Sequence, residues 1–185
     1  KMACGENPKR VYGRRRSAPS TRMGNVAGYR ESWIKARSYQ AKLDAAAQLG
    51  EDLPERDLEM ETLAGVLRGE ILIHNHCYRA DEMLIMLDIA REFDYKITAF
   101  HHATEAYKIA DVLAAEGVCG ALWADWWGFK MESNDAIEEN IALMEQAGAC
   151  AIVHSDSARD IQRLNQEAAK ALMAARRMGL PYDEA

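Results

Sequence analysis

The sequence predicts an α/β fold of parallel strand–helix units, the arrangement that forms the second half of a TIM-type (β/α)8 barrel. Two observations lead there. From residue 70 onward, short apolar runs alternate with stretches of helical period: strands over 70–76, 96–101, 118–124 and 149–154, helices over about 81–92, 104–115, 134–147 and 158–178. Alternation at this spacing requires parallel strands joined by right-handed crossovers. The second observation is where the histidines fall. His74, His76, His101, His102 and His154 all sit at or near the carboxyl ends of three of these strands, and none is in a helix. In parallel α/β proteins that rim is where ligands and metals are held.

Taken in order, residues 1–4 read as the end of a strand, so the chain is expected to start part-way into the fold. Residues 5–28 are rich in Gly, Pro, Ser and Arg and read as a loop, carrying Lys9, Arg10, Arg14, Arg15, Arg16 and Arg22. Such a charge run is either a solvated surface or an anion-capturing loop near the site. A helix follows over about 29–48, with Trp33, Ile34, Ala36, Ala41, Leu43 and Ala47 as its apolar positions and Gly50 as its C-cap. Pro54 opens a second helix that runs to about Arg68, and Gly69 leads into Ile71-Leu72-Ile73-His74-Asn75-His76, a buried strand by composition. Four strand–helix units and a strand remnant amount to about half of an eight-fold barrel, for which roughly 250 residues is usual. An open, doubly wound sheet is the alternative. A nucleotide-binding module would need a glycine-rich turn after a strand, and none is present.

The 185 residues suit one domain with a real core, and 49% apolar with 28% charged residues describe a soluble globular chain. A net charge of −6 argues against a general nucleic-acid binder. No apolar run reaches the roughly 20 residues of a membrane helix, and no signal peptide is visible, but with a start that reads as truncated the compartment stays open, the cytoplasm only slightly favoured. Cys4, Cys77, Cys119 and Cys150 form no CxxC or zinc-finger spacing and read as small buried hydrophobes, with Cys77 placed beside the site.

The candidate ligands are His74, His76, His101, His102 and Asp156. Imidazole nitrogens with a carboxylate suit zinc and related divalent metals. Side chains alternate along a strand, so His74 and His76 share a face, whereas the neighbours His101 and His102 are expected to point to opposite faces, one of them structural. His154 is read as structural. Asp156 has the type and place of a general base beside a metal-activated water.

At these residues the sequence resembles the metal-dependent amidohydrolases, in the imidazolonepropionase-like and prolidase-like group. His74-Asn75-His76-Cys77-Tyr78-Arg79 resembles the fifth-strand motif, whose first histidine binds metal. His101-His102-Ala103-Thr104 resembles the sixth-strand Glu-His-Gly-Thr, with His101 in the glutamate's place. Ser155-Asp156 resembles the eighth-strand motif, and 124–132 resembles a stretch of one branch. The resemblance implies metal ligands at His74, His102 and Asp156, Asp156 as general base, and Lys1 in the place of a fourth-strand metal-bridging lysine. It implies one or two divalent ions, zinc foremost, and a small-molecule amide, cyclic amide or peptide substrate contacted by His76, Tyr78 and Arg79, with a solvent-facing position at the helix start as the equal alternative for Tyr78 and Arg79. Trp126 and Trp127 either wall the pocket or pack against helices or an interface. The first-strand His-x-His, strands one to three and the flanking β-sandwich have no counterpart, so residues 1–185 are expected to be one partial barrel, from about strand 4 to helix 8. The competing expectation is a non-catalytic half-barrel whose open edges associate, giving a homo-oligomer.

Overall fold

The computed structural model describes residues 1–50 and 52–180. Five strands, β1 (Met2–Ala3), β2 (Ile73–Cys77), β3 (Ile97–His102), β4 (Cys119–Leu122) and β5 (Ala151–Val153), form one sheet in the order β1-β2-β3-β4-β5. The pairs β1–β2, β3–β4 and β4–β5 are parallel. A doubly wound sheet reverses its strand order at a switch point. Here the order follows the chain without reversal, which is barrel winding, so the half-barrel reading holds and the open-sheet alternative does not.

The chain divides into two compact units. The first comprises Lys1–Gly5, His74–Ile85 and the chain from Ile97 onward; the second comprises Glu6–Ile73 and Met86–Lys96. In the first unit, the register aligns Phe100 with Gly120 and Gly120 with Ala151 on one face. Phe100 is fully buried there, beside glycine and alanine that leave room for it. A Cβ on Gly120 would lie about 3.2 Å from Leu122 and Met144 side-chain carbons, so a larger residue here would have to push those side chains aside. The other face carries His101, Ala121 and Ile152 in register. Ile152 is 46% exposed, so this face is open, as the interior of an unclosed barrel is. The helices α5 (Ala110–Glu116), α6 (Asn140–Gln146) and α7 (Leu164–Arg177) belong to the same unit, and α4 (Ala80–Phe93) begins in it.

In the second unit, 5–28 is not one loop. Glu6–Arg14 forms helix α1, and α2 (Arg22–Leu49) begins well before residue 29. Pro8 stands in the first turn of α1, where its missing N–H costs nothing, and Arg14 in the last turn complements the helix dipole. The start of α2 is a capping event. The Thr21 hydroxyl accepts from Gly24 N–H at 2.9 Å, and Gly50 closes the helix at φ 67° with its N–H on Ala46 O. Helix α3 (Leu58–Leu67) is capped by Asp57, whose carboxylate accepts from Glu59 and Met60 N–H groups, rather than starting at Pro54. Trp33 of α2 and Tyr95 pack with ring centroids 4.5 Å apart. The arginines expected in a loop lie on α1 and in the turn after it, all of them exposed except Arg22 at the start of α2.

The cysteines correct the expectation of four separate hydrophobes. Cys4 is bonded to Cys77 and Cys119 to Cys150, each pair joining neighbouring strands. Parallel strands place side chains of one register row within disulfide reach, and no sequence spacing reveals which strands are neighbours. Cys77 is therefore not a free thiol. Alkylation before reduction should leave the mass unchanged, and alkylation after it should add four adducts. Closing the 31-residue separation of Cys119 and Cys150 is worth about 3–4 kcal/mol by chain entropy, so Cys119→Ser should lower the denaturant midpoint by a corresponding amount. Two adducts on unreduced protein would refute one of the bonds, and four would refute both.

Candidate metal centre

The site forms where β3 and β5 end. Neighbours on a regular strand face opposite ways, but β3 stops being regular at His102. Its φ is +72°, and that of Ala103 is +36°. This left-handed turn swings the His102 ring to the side His101 already faces, and the two rings lie 6.1 Å apart. The expectation that one of them must point away is corrected by this turn. Non-glycine residues hold such a conformation only where their surroundings insist on it. Here Ala103 N–H donates to Cys77 O at 2.9 Å, and the buried Asn140 donates from Nδ2 to Ala103 O at 3.0 Å while accepting Tyr107 N–H at 2.9 Å.

Two histidine groups result. In one, Lys1 Nζ lies 3.3 Å from His101 Nδ1, and His101 Nε2 lies 2.8 Å from His74 Nδ1. An ammonium only donates, so the neutral His101 accepts at Nδ1 and donates from Nε2 to His74. In the other, His102 Nδ1 is 3.1 Å from His154 Nε2, and His102 Nε2 is 3.8 Å from Asp156 Oδ2. Ligand atoms of His102, His154 and Asp156 all lie within 4.8 Å of one another. A tetrahedral zinc with bonds near 2.1 Å separates its ligands by roughly 3.4 Å, so these three donors fit a divalent ion after small rotations and leave a coordination position open. Among the described residues this is the group able to hold a metal. It unites His102 and Asp156 with His154, which sequence reasoning set aside, while His74 and Lys1 gather on His101. The available signal for His154 was its place at the strand end, two residues before Asp156.

Burial sets the electrostatics. The His102 pKa is pushed down to about 2, first by burial and then by His76 and His154. His76 is lowered to about 4 by burial and then Lys130 and Lys1, and His101 to about 4 by burial and then Lys1. His154 is lowered by burial, against the pull of Asp156. All four rings are therefore neutral near neutral pH, as ligands must be. The sign for stability follows. Between the folded values near 4 and the ordinary histidine value of 6.5, the unfolded chain binds more protons, so stability is retained above 6.5 and lost as pH falls toward 4. Thermal midpoints should drop across that window, and His76→Phe should shallow the slope. A flat profile from 6.5 to 4 would contradict the burial of these rings.

Aromatic rings wall the group. Tyr78 stacks on His102 at 5.1 Å and 22°, and Trp123 lies 4.5 Å from the same ring. Lys130 Nζ sits 3.8 Å above the Tyr78 ring and 2.8 Å from the buried Glu132 carboxylate. That carboxylate explains Gly5, at φ 82°, where any Cβ would run into Glu132. Arg79 engages Asp81 through both arms of its fork, at 2.9 Å each, so its guanidinium is committed within the chain. Trp126 borders a polar cavity of about 240 Å3 together with Trp123, His154, Ser155 and Arg163. Trp126 thus lines a pocket beside the group. Trp127 is 39% exposed.

Fold and site together make this an α/β half-barrel with a His–His–Asp group at its carboxyl rim. The chain is similar to the amidohydrolase tasK of Hapsidospora irregularis, 35% identical over 199 aligned positions that cover all of this chain and 20% of that protein. It is also similar to a crystal structure of an amidohydrolase from Thermotoga maritima MSB8, at 35% identity and a TM-score of 0.87, covering 99% of this chain and 47% of that one. The chain thus spans a fifth and just under half of these two relatives. No protein-family model matches it. No described helix is long and apolar enough to cross a membrane.

Proposed function

We propose that this chain is the metal-holding half of a hydrolase that cleaves C–N bonds in amides, cyclic amides or peptides, of the imidazolonepropionase-like and prolidase-like kind. The observation that supports it most is the convergence of His102, His154 and Asp156 at the rim of a barrel-wound sheet. When bound, a divalent ion, zinc foremost, supplies Lewis acidity toward a carbonyl oxygen and acidifies water beside it. His102 and His154, neutral by burial, hold that ion. Asp156, half exposed, accepts the proton of the attacking water and returns it to the departing nitrogen, so that amide and water become acid and amine. His76 and Tyr78, packed edge to face at 5.0 Å beside His102, receive the substrate's polar end. Arg79 would first have to leave Asp81 to do so.

The test is metal content by elemental analysis on chelator-free protein, followed by an amide and dipeptide screen. Near-stoichiometric zinc or another divalent metal supports the reading; no uptake of zinc, cobalt or manganese sinks it. Two variants divide the ligands. His154→Ala should lose the metal, whereas His74→Ala, outside the His102–His154–Asp156 group, should retain it. Loss in His74→Ala with retention in His154→Ala would reverse the assignment.

The second reading is association without catalysis, since β1 and β5 are the edges of the described sheet. Sedimentation showing a concentration-dependent dimer with no metal would favour it.

A further inference from the structure

Resting on the metal reading above, we infer that Trp123 is the positioning residue that sets the geometry of the whole ligand group. It follows β4 directly and is buried. One side chain meets both segments that carry ligands, the end of β3 and the end of β5. Its indole N–H donates to Ser155 O at 3.0 Å, one residue before Asp156. Its ring lies 4.5 Å from the His102 ring at 31°, and runs nearly parallel to the His154 ring at 6.0 Å and 15°.

Each of these contacts answers a need. Asp156 has φ +56°, a left-handed conformation that an aspartate holds at some cost. The local bonds across Ser155 and Ser157 are long, both 3.3 Å, so the buried indole bond is the shortest restraint on the preceding peptide. A metal-binding histidine is commonly oriented by a partner on its second nitrogen. Both nitrogens of His102 face other members of the group, Nδ1 toward His154 at 3.1 Å and Nε2 toward Asp156 at 3.8 Å, and no described residue outside the group holds its second nitrogen. Its orientation must come from ring contacts, and Trp123 and Tyr78 supply them. Trp123 therefore fixes the direction of one ligand by packing and the backbone behind another by a hydrogen bond.

The test uses cobalt, whose absorption bands report coordination geometry, on the full chain. Trp123→Phe keeps an aromatic face and removes the N–H; Trp123→Leu removes both. The phenylalanine variant should bind cobalt about 10–100-fold more weakly, as loss of outer support typically does, with altered visible bands. The leucine variant should be weaker still. Trp127→Phe, an exposed indole change outside this cavity and this hydrogen bond, should leave affinity and spectrum unchanged. In the unmodified protein, cobalt should quench indole emission in step with its uptake, a readout that stands even if the variants fail to fold. A phenylalanine variant with a lower metal-free melting temperature but unchanged cobalt affinity and spectrum would make Trp123 a core filler and overturn the inference. Cobalt bound by the parent with unchanged emission would also overturn it. A parent that takes up no cobalt would refute the metal reading itself, a distinguishable failure.

Discussion

Replacing His102 with alanine is expected to abolish metal uptake and, with it, metal-dependent turnover. In the proposed centre His102 lies between the other two members, with Nδ1 3.1 Å from His154 Nε2 and Nε2 3.8 Å from Asp156 Oδ2. Without it, His154 and Asp156 are left as a two-donor set with no chelating third. The loss should exceed the roughly 10–100-fold typical of outer-shell changes. Alanine at φ +72° adds backbone strain, and the cavity left by a buried imidazole adds more, so a destabilised variant would confuse the result. His102→Asn is the control, because asparagine tolerates the left-handed region better than alanine. Both variants should lose metal, the asparagine one with the smaller change in melting temperature. Metal retained at full stoichiometry in a folded His102→Asn would remove His102 from the centre.

The second large effect is expected from Asp156→Asn. The amide keeps the shape and one oxygen donor but cannot accept a proton. General acid–base assistance contributes about 10²–10⁴-fold to rates, so the rate constant for the amide-cleaving step should fall by that order. Metal affinity should weaken less than in His102→Asn, because a neutral oxygen replaces a charged one without vacating the position. The side chain is half exposed, so the exchange should cost little stability. A folded Asp156→Asn that hydrolyses at the parental rate would dismiss Asp156 as the base and leave its role to binding alone.

The alternation of apolar runs with helical periods was legible because it is written in local spacing, and it led to the five parallel strands and to barrel winding as one of two options. The histidine rim was legible for the same reason: strand ends are local features, and a site placed there shows in one dimension. Helix α1 was not, because its residues bury nothing and so carry no apolar stripe. The early start of α2 depends on one threonine hydroxyl finding one N–H, a signal easily hidden in a Gly- and Ser-rich stretch.

What the sequence alone determined, then, is the class of fold, the rim where the chemistry gathers, and the residue types gathered there. Tertiary structure decided the rest. Strand order chose barrel over open sheet, since the same local alternation serves both. Register brought Cys4 to Cys77 and Cys119 to Cys150, pairs that spacing cannot suggest. A left-handed turn at His102 and Ala103 brought the His102 ring to the side of His101, against the alternation that governs every regular strand, and into one group with His154 and Asp156. That turn is held by Asn140, from the start of α6 nearly forty residues along the chain, and a restraint of that range is visible only once the chain has folded.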